Sequence, residues 1–322
     1  MCPDVRGTRG GPTVTATDPP DPVTPHHEGV PFGGAGALAV QLAPRLHAAL
    51  RTAAPVVAVL DEAERAALGA ELGAAASGIE FLDPADVYRV PAFTVAVRWA
   101  RLSRRAEPGA RATVVGQHVA LPGGDGPGYW ARLDAALDVA LAGLPVEVLC
   151  PFPDGDDVLS RTTHRTLLSG GHSVPTAAFR EPLEVVAEFP PPPPPDLGEP
   201  GVVLPFGLEG LGGLRRTVAT VATDGGLRTE RVADFVLAVN EIASNSVEHG
   251  PGSGTLRMWV TDGQVVAEVH DAGRLRVPFP GLVAPPPTGA RGRGLWLASE
   301  LSDVLQVWSD AGGTVIRVTM TL

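Results

Sequence analysis

Six consecutive prolines, Pro190 to Pro195, followed by Asp196-Leu-Gly-Glu-Pro200, constrain the fold more than any other stretch. Proline has no N–H and a locked φ, so the run enters neither a helix nor a sheet ladder. It adopts a stiff polyproline II spacer rising about 3.1 Å per residue. A chain of 322 residues broken at that point is predicted to fold as two domains. The predicted boundaries are a domain over 26–185, a linker over 186–200 and a second domain over 201–322. Residues 1–25 are rich in Pro, Gly, Thr and Asp and read as a disordered leader.

Several function classes drop out on composition. All 25 basic residues are arginine, which removes lysine Schiff bases and the Gly-Lys-Ser/Thr phosphate loop. A net charge of −11 argues against direct binding to nucleic acid, which needs a basic face. The two cysteines, Cys2 and Cys150, read as reduced thiols of a cytoplasmic protein. No apolar run reaches the ~18 residues that suggest a membrane span, and the N-terminus lacks the apolar centre of a signal peptide.

In 26–185, apolar runs alternate with helical patterns. Strands are predicted at 55–60, 79–82, 112–116 and 146–150, and helices at 62–72, 92–106, 128–143 and 156–169. That alternation predicts a parallel sheet covered on both faces, with ligands beyond the carboxyl ends of its strands. In 201–322 the order is strand 202–206, helices 209–222 and 228–248, a hairpin 255–270 turning at Asp262-Gly263, a helix 292–302, and a hairpin 304–319. This predicts an α+β two-layer sandwich with its helices on one face of an antiparallel sheet.

Three patches in the second domain carry chemistry. Glu241 and Asn245 are four residues apart near the end of a long helix and share a face. An amide oxygen is a hard ligand for Mg²⁺, and a carboxylate one turn earlier can orient a nucleophile. Val269-His270-Asp271-Ala272-Gly273 ends a strand in Asp-x-Gly, a carboxylate able to accept an amine from a base. Gly289-Ala-Arg291-Gly292-Arg293-Gly294-Leu295 opens a helix, where exposed backbone N–H groups and the helix dipole favour phosphate. Each patch alone also fits an ordinary capped or turning segment. Their order within about 55 residues is the stronger signal.

At these residues the chain resembles the GHKL (gyrase, Hsp90, histidine kinase, MutL) ATP-binding fold, also called the Bergerat fold. Glu241-x-x-x-Asn245, Asp271-x-Gly273 and Gly292-x-Gly294-Leu295 are similar to its N, G1 and G2 boxes. Within that superfamily, the run 237–250 resembles the anti-sigma-factor serine/threonine kinases. The resemblance implies ATP and Mg²⁺ as cofactors. Asn245 is then the Mg²⁺ residue, Glu241 the catalytic base, Asp271 the adenine reader and 274–291 the lid. The nucleotide-binding set it implies is Asn245, His249, Asp271, Gly273, Arg291, Gly292, Arg293, Gly294 and Leu295. Leu275 stands where fuller members have a second glycine, and the lid contains Pro285, Pro286 and Pro287.

The layout of 26–182 resembles the MEDS (methanogen/methylotroph sensory) domains, RecA-like three-layer sheets thought to sense small ligands. The resemblance rests on His27, the 55–60 strand, Gln117-His118 and Leu149-Cys150-Pro151-Phe152. Candidate ligand contacts are His27, Gln117, His118, Trp130 and Cys150. One cysteine and scattered histidines do not have the spacing of a zinc motif, so no metal besides Mg²⁺ is expected.

The expected protein is a cytoplasmic regulator of transcription: an ATP-binding anti-sigma factor or serine/threonine kinase under a sensory domain. Its expected partners are a sigma factor and an anti-anti-sigma (STAS-type) antagonist, with a homodimer as a further assembly. One alternative is a nucleotide-responsive binding module without turnover. Another is a sensor histidine kinase, for which His164 and His172 lie outside any long heptad pattern.

Overall fold

A computed structural model describes residues 27–121, 126–155, 158–261, 263–285 and 293–322. The predicted leader, Cys2 and the turn residue Asp262 lie outside the described residues.

The first half runs β1 (His27–Phe32), α1 (Ala35–Ala49), β2 (Val56–Val59), α2 (Glu62–Leu72), β3 (Glu80–Leu82), α3 (Pro84–Val87), α4 (Ala92–Leu102), β4 (Ala112–Gly116), α5 (Gly126–Ala140), β5 (Val146–Pro153), α6 (Val158–Thr163), β6 (Thr166–Ser169), β7 (His172–Pro175) and α7 (Pro182–Glu188). The strands form one sheet in the order β3-β2-β4-β5-β1-β6-β7. It is parallel from β3 to β6, and β7 is an antiparallel edge. Alternation divides each strand between two cores. Val57 and Val59 face the cluster containing α4 and α5, whereas Val56, Ala58 and Leu60 face that of α1 and α2. Three layers follow, as the apolar runs predict.

Two segments depart from the sequence reading. The apolar pattern predicts no element before the 55–60 strand, where the structure places β1 and α1. In the fold Pro44 lies inside α1. The carbonyl it deprives of a partner belongs to Val40, a residue 62% exposed, so water reaches that side of the helix. The predicted helix 156–169 ends at Thr163. Beyond it Gly170 and Gly171, with φ of 56° and 82°, turn a short β6–β7 hairpin that helical spacing does not anticipate.

The second half runs β8 (Val202–Gly207), α8 (Leu211–Asp224), α9 (Thr229–Glu248), β9 (Ser253–Thr261), β10 (Gln264–Asp271), α10 (Gly294–Leu301), β11 (Val304–Asp310) and β12 (Gly313–Thr321). The sheet is antiparallel throughout, in the order β11-β12-β10-β9-β8. Its inner residues Val265, Ala267, Val269, Ile316 and Val318 pack with Phe235, Val239 and Ile242 of α9.

The other face of this sheet carries Glu268, Arg317 and Trp308, and here the proline run takes an unexpected position. It is not a free-standing spacer. Trp308 Nε1 donates to Pro192 O at 2.7 Å, Arg317 Nη2 to Pro195 O at 3.0 Å and Trp259 Nε1 to Gly198 O at 3.0 Å. From the first half, Arg132 Nη1 donates to Pro190 O at 3.1 Å. A polyproline II strand leaves its carbonyls unpaired, so each is open to a side-chain donor. The halves also meet directly. Arg101 donates to Ser299 O, Arg104 pairs with Glu300, and Phe279 and Leu282 of the second half are buried in the α4–α5 core.

Candidate functional site

Helix α9 buries Phe235, Ala238, Val239, Ile242, Ala243 and Ser246 along one stripe. Glu241 and Asn245 lie beside that stripe, half-buried, and α10 begins against them. A Cβ built on Gly294 lies 2.9 Å from Asn245 Nδ2 and 3.2 Å from Glu241 Oε2. The glycine opening α10 therefore lets its backbone approach both side chains.

Asp271 closes the opposite side. Its Oδ2 accepts from Ser246 Oγ at 2.6 Å and its Oδ1 from the Gly273 N–H at 2.7 Å. Thr314 Oγ1 donates to Gly273 O at 2.9 Å, fixing the turn after Asp271. Gly313 sits so close that a Cβ there meets Asp271 O at 2.3 Å. Sequence reasoning misses Ser246 and Thr314. Ser246 has a legible signal, since it is the one hydroxyl in the apolar stripe, four residues after Ile242. Thr314 has none besides its register with Asp271.

These elements enclose a cavity of about 480 Å³ lined by Asn245, His249, Asp271, Gly273, Gly294 and Leu295, among others. His249 lies exposed at its mouth. Arg293 precedes the first residue of α10, and its carbonyl accepts from Leu297 N at 2.8 Å. Arg291 and Gly292 lie outside the described residues, as do Pro286 and Pro287 of the predicted lid. Its described part, from Arg274 to Pro285, walls the cavity through Val277, Phe279 and Val283. Leu275 N donates to Ser309 Oγ at 2.9 Å and lies 3.2 Å from Thr314 Oγ1. No non-glycine residue among those described has a positive φ, so this backbone needs no glycine at 275. One wall residue, Val139, comes from α5 of the first half.

The first half gathers a second polar group, deep under α5 and α6. Of the five residues singled out there, His27, His118, Trp130 and Cys150 converge and Gln117 does not. Gln117 turns away to Asp61, accepting from its N–H at 2.8 Å. The group gains Asp134 and Asp138 of α5 and also His164, none of which sequence reasoning places there. His27 Nε2, His118 Nε2 and His164 Nε2 lie 3.6, 3.2 and 3.7 Å from Asp134 Oδ1. His118 stacks on Trp130 with ring centroids 4.3 Å apart. Burial alone raises the Asp134 carboxyl, but the His164 and His118 charges against it hold it well below the carboxylate range. Burial lowers His118, yet Asp134 prevails and lifts it to about 10. Burial likewise raises the Cys150 thiol, and His27 facing it reverses the shift to well below the usual thiol value.

His164 is fully buried, and its Nδ1 donates to Ser160 O at 2.6 Å. It offers no accessible nitrogen to a kinase, which removes it as a phosphoacceptor.

Residues 204–320 match the family model described as "Histidine kinase-like ATPase domain". The second half thus contains a GHKL-like ATPase domain. Among solved structures, the crystal structure of the RsbU and RsbW domains of Rv1364c from Mycobacterium tuberculosis is 24% identical over 38% of this chain, with a TM-score of 0.29. The match spans 32% of that chain, about a third of its length. No curated protein matches this one. Among the described residues no helix is long and apolar enough to cross a membrane.

Proposed function

We propose that the chain is an ATP-binding regulator of transcription, an anti-sigma factor with serine/threonine kinase activity whose first half is a MEDS-like sensor of a small ligand. The observation carrying this reading is the convergence of Asn245, Asp271 and Gly294 on one cavity, with Glu241 against Gly294 beside it. The residues fit the nucleotide. Asn245 and Glu241 face backbone that a single Cβ would obstruct, and Asp271 keeps unused lone pairs after Ser246 and Gly273 are satisfied.

On this reading Asn245 would hold Mg²⁺, Asp271 would accept from the adenine amine, and the N–H groups opening α10 would face the phosphates. Mg·ATP, when bound, supplies the transferable phosphoryl group. Glu241 orients the hydroxyl of a Ser or Thr on an antagonist protein and takes its proton. Phe279 and Leu282 hold the lid into the first half, and α5 carries Asp134 and Asp138 at one site and Val139 at the other. These contacts support control of the nucleotide site by the sensory half.

The anchored lid also supports a second reading, in which nucleotide reshapes a partner surface without turnover. ADP production measured with and without a candidate antagonist separates the two. Activity stimulated by the antagonist supports the kinase; silence with an antagonist shown to bind supports the module.

Gly294→Ala tests the cavity itself. The added methyl pushes on the mobile end of Asn245, so folding should be unaffected or gain up to about 1 kcal/mol from helix propensity. Mg·ATP affinity should fall at least about tenfold, or 1.4 kcal/mol. Calorimetric titration giving wild-type affinity would remove Gly294 and Asn245 from the nucleotide site.

A further inference from the structure

The buried group in the first half has the makings of a metal centre that its sequence spacing conceals. His27, Asp134, Cys150 and His164 each bring one donor atom, all four within 4.8 Å of one another and all four residues buried. A tetrahedral zinc site with bonds of about 2.0–2.1 Å places its nitrogen and oxygen donors about 3.3 Å apart. The distances of 3.6 and 3.7 Å from Asp134 Oδ1 to His27 Nε2 and His164 Nε2 are close to that edge.

His27 Nε2, His118 Nε2, His164 Nε2 and Asp134 Oδ1 are fully buried without a hydrogen bond, His118 Nε2 lying 3.2 Å from Asp134 Oδ1. Buried polar atoms are rarely left so, and here three nitrogens point at one carboxylate oxygen. The opposite ring nitrogens are occupied in the manner of metal-bound histidines. His27 Nδ1 donates to Asp138 Oδ1 at 2.8 Å, and His164 Nδ1 donates to Ser160 O at 2.6 Å. Both arrangements turn Nε2 inward.

The backbone makes room for this geometry. A Cβ on Gly29 would come within 3.0 Å of the His164 ring, and Gly29 is the register partner of Cys150. Charge balances within the four: one thiolate and one carboxylate neutralise a divalent ion beside two neutral imidazoles. A cavity of about 250 Å³ lined by Trp130, Asp134 and Ser160 leads to the group.

We propose that His27, Asp134, Cys150 and His164 bind a zinc-class divalent ion, with Asp138 as the positioning residue for His27. A borderline-soft set of two imidazoles, a thiolate and a carboxylate suits Zn²⁺ and disfavours Mg²⁺ or Ca²⁺. His118 stays outside the four, stacked on Trp130 and lying against Asp134.

The test uses full-length protein stripped with chelator and titrated with Co²⁺, whose d–d bands report tetrahedral coordination and whose charge-transfer band reports thiolate ligation. One equivalent should bind per chain, and Zn²⁺ should displace it. Cys150→Ser should lose the charge-transfer band, whereas Cys2→Ser should keep it. Asp138→Asn, which leaves all four donors in place, should weaken Co²⁺ affinity about 10–100-fold. Absence of a saturable Co²⁺ spectrum in folded wild-type protein would overturn the site. So would an unchanged charge-transfer band in Cys150→Ser. Neither outcome bears on nucleotide binding in the second half.

Discussion

Glu241→Gln should slow phosphoryl transfer to an antagonist by about 10²–10⁴ while leaving ATP affinity within about 1 kcal/mol. Both side chains abut Gly294, yet the proposed roles differ. In the proposed roles Glu241 would meet only the attacking hydroxyl, so its amide isostere keeps the shape of the side chain and loses the base. Asn245 would hold the metal, and Asn245→Ala should abolish Mg²⁺-dependent nucleotide binding together with every later step. A phosphotransfer assay run beside nucleotide titration resolves the two variants. If Glu241→Gln transferred at the wild-type rate, Glu241 would have no part in the chemistry. If Asn245→Ala kept its Mg²⁺ dependence, the metal would be held elsewhere.

That a sequence allows such a pair to be singled out reflects how local the site is. Glu241 and Asn245 need only the helical repeat, Asp271 ends a strand marked by alternation, and Gly294 starts the next helix. The fold around them is legible for the same reason: two of the four neighbouring strand pairs in the sheet of the second half, β9–β10 and β11–β12, are hairpins joined by short turns. The first half is less legible because its sheet is assembled by crossovers. β1 pairs with β5, bringing His27 beside a strand that begins at Val146. The polar group there draws on residues from 27 to 164, a dispersion no spacing rule encodes. Its acidic members are hidden differently. Asp134 and Asp138 occupy one face of α5, where the helical period reads them as an ordinary solvated stripe, although Asp134 is fully buried.

The proline segment was legible as an interruption, but its covering role depends on a buried ion pair that only the assembled sheet creates. Glu268 and Arg317 are register partners on β10 and β12, each about 5% exposed. Arg317 Nε donates to Glu268 Oε2 at 2.7 Å, its guanidinium lies 5.4 Å from the Trp308 ring, and Nη2 reaches Pro195 O. His270 bonds the second Glu268 oxygen. Removing one partner strands the other, so Glu268→Ala should destabilise the second half by about 3–5 kcal/mol. Replacing both charges with apolar residues of similar volume should recover most of that loss. Burial raises the Glu268 carboxyl, but His270 and Arg317 outweigh it and hold it below its ordinary 4.5. A depressed carboxyl contributes stability that is complete above the unfolded value and disappears as pH falls through the folded one. Wild-type protein should therefore lose stability on acidification below 4.5 more steeply than Glu268→Gln. Urea unfolding, with hydrogen exchange of the β10 and β12 amides, measures both effects. Parallel acid profiles for the two proteins, with a Glu268→Ala cost below about 1 kcal/mol, would place the pair among ordinary surface ion pairs. The proline strap would then be held by Trp308, Trp259 and Arg132.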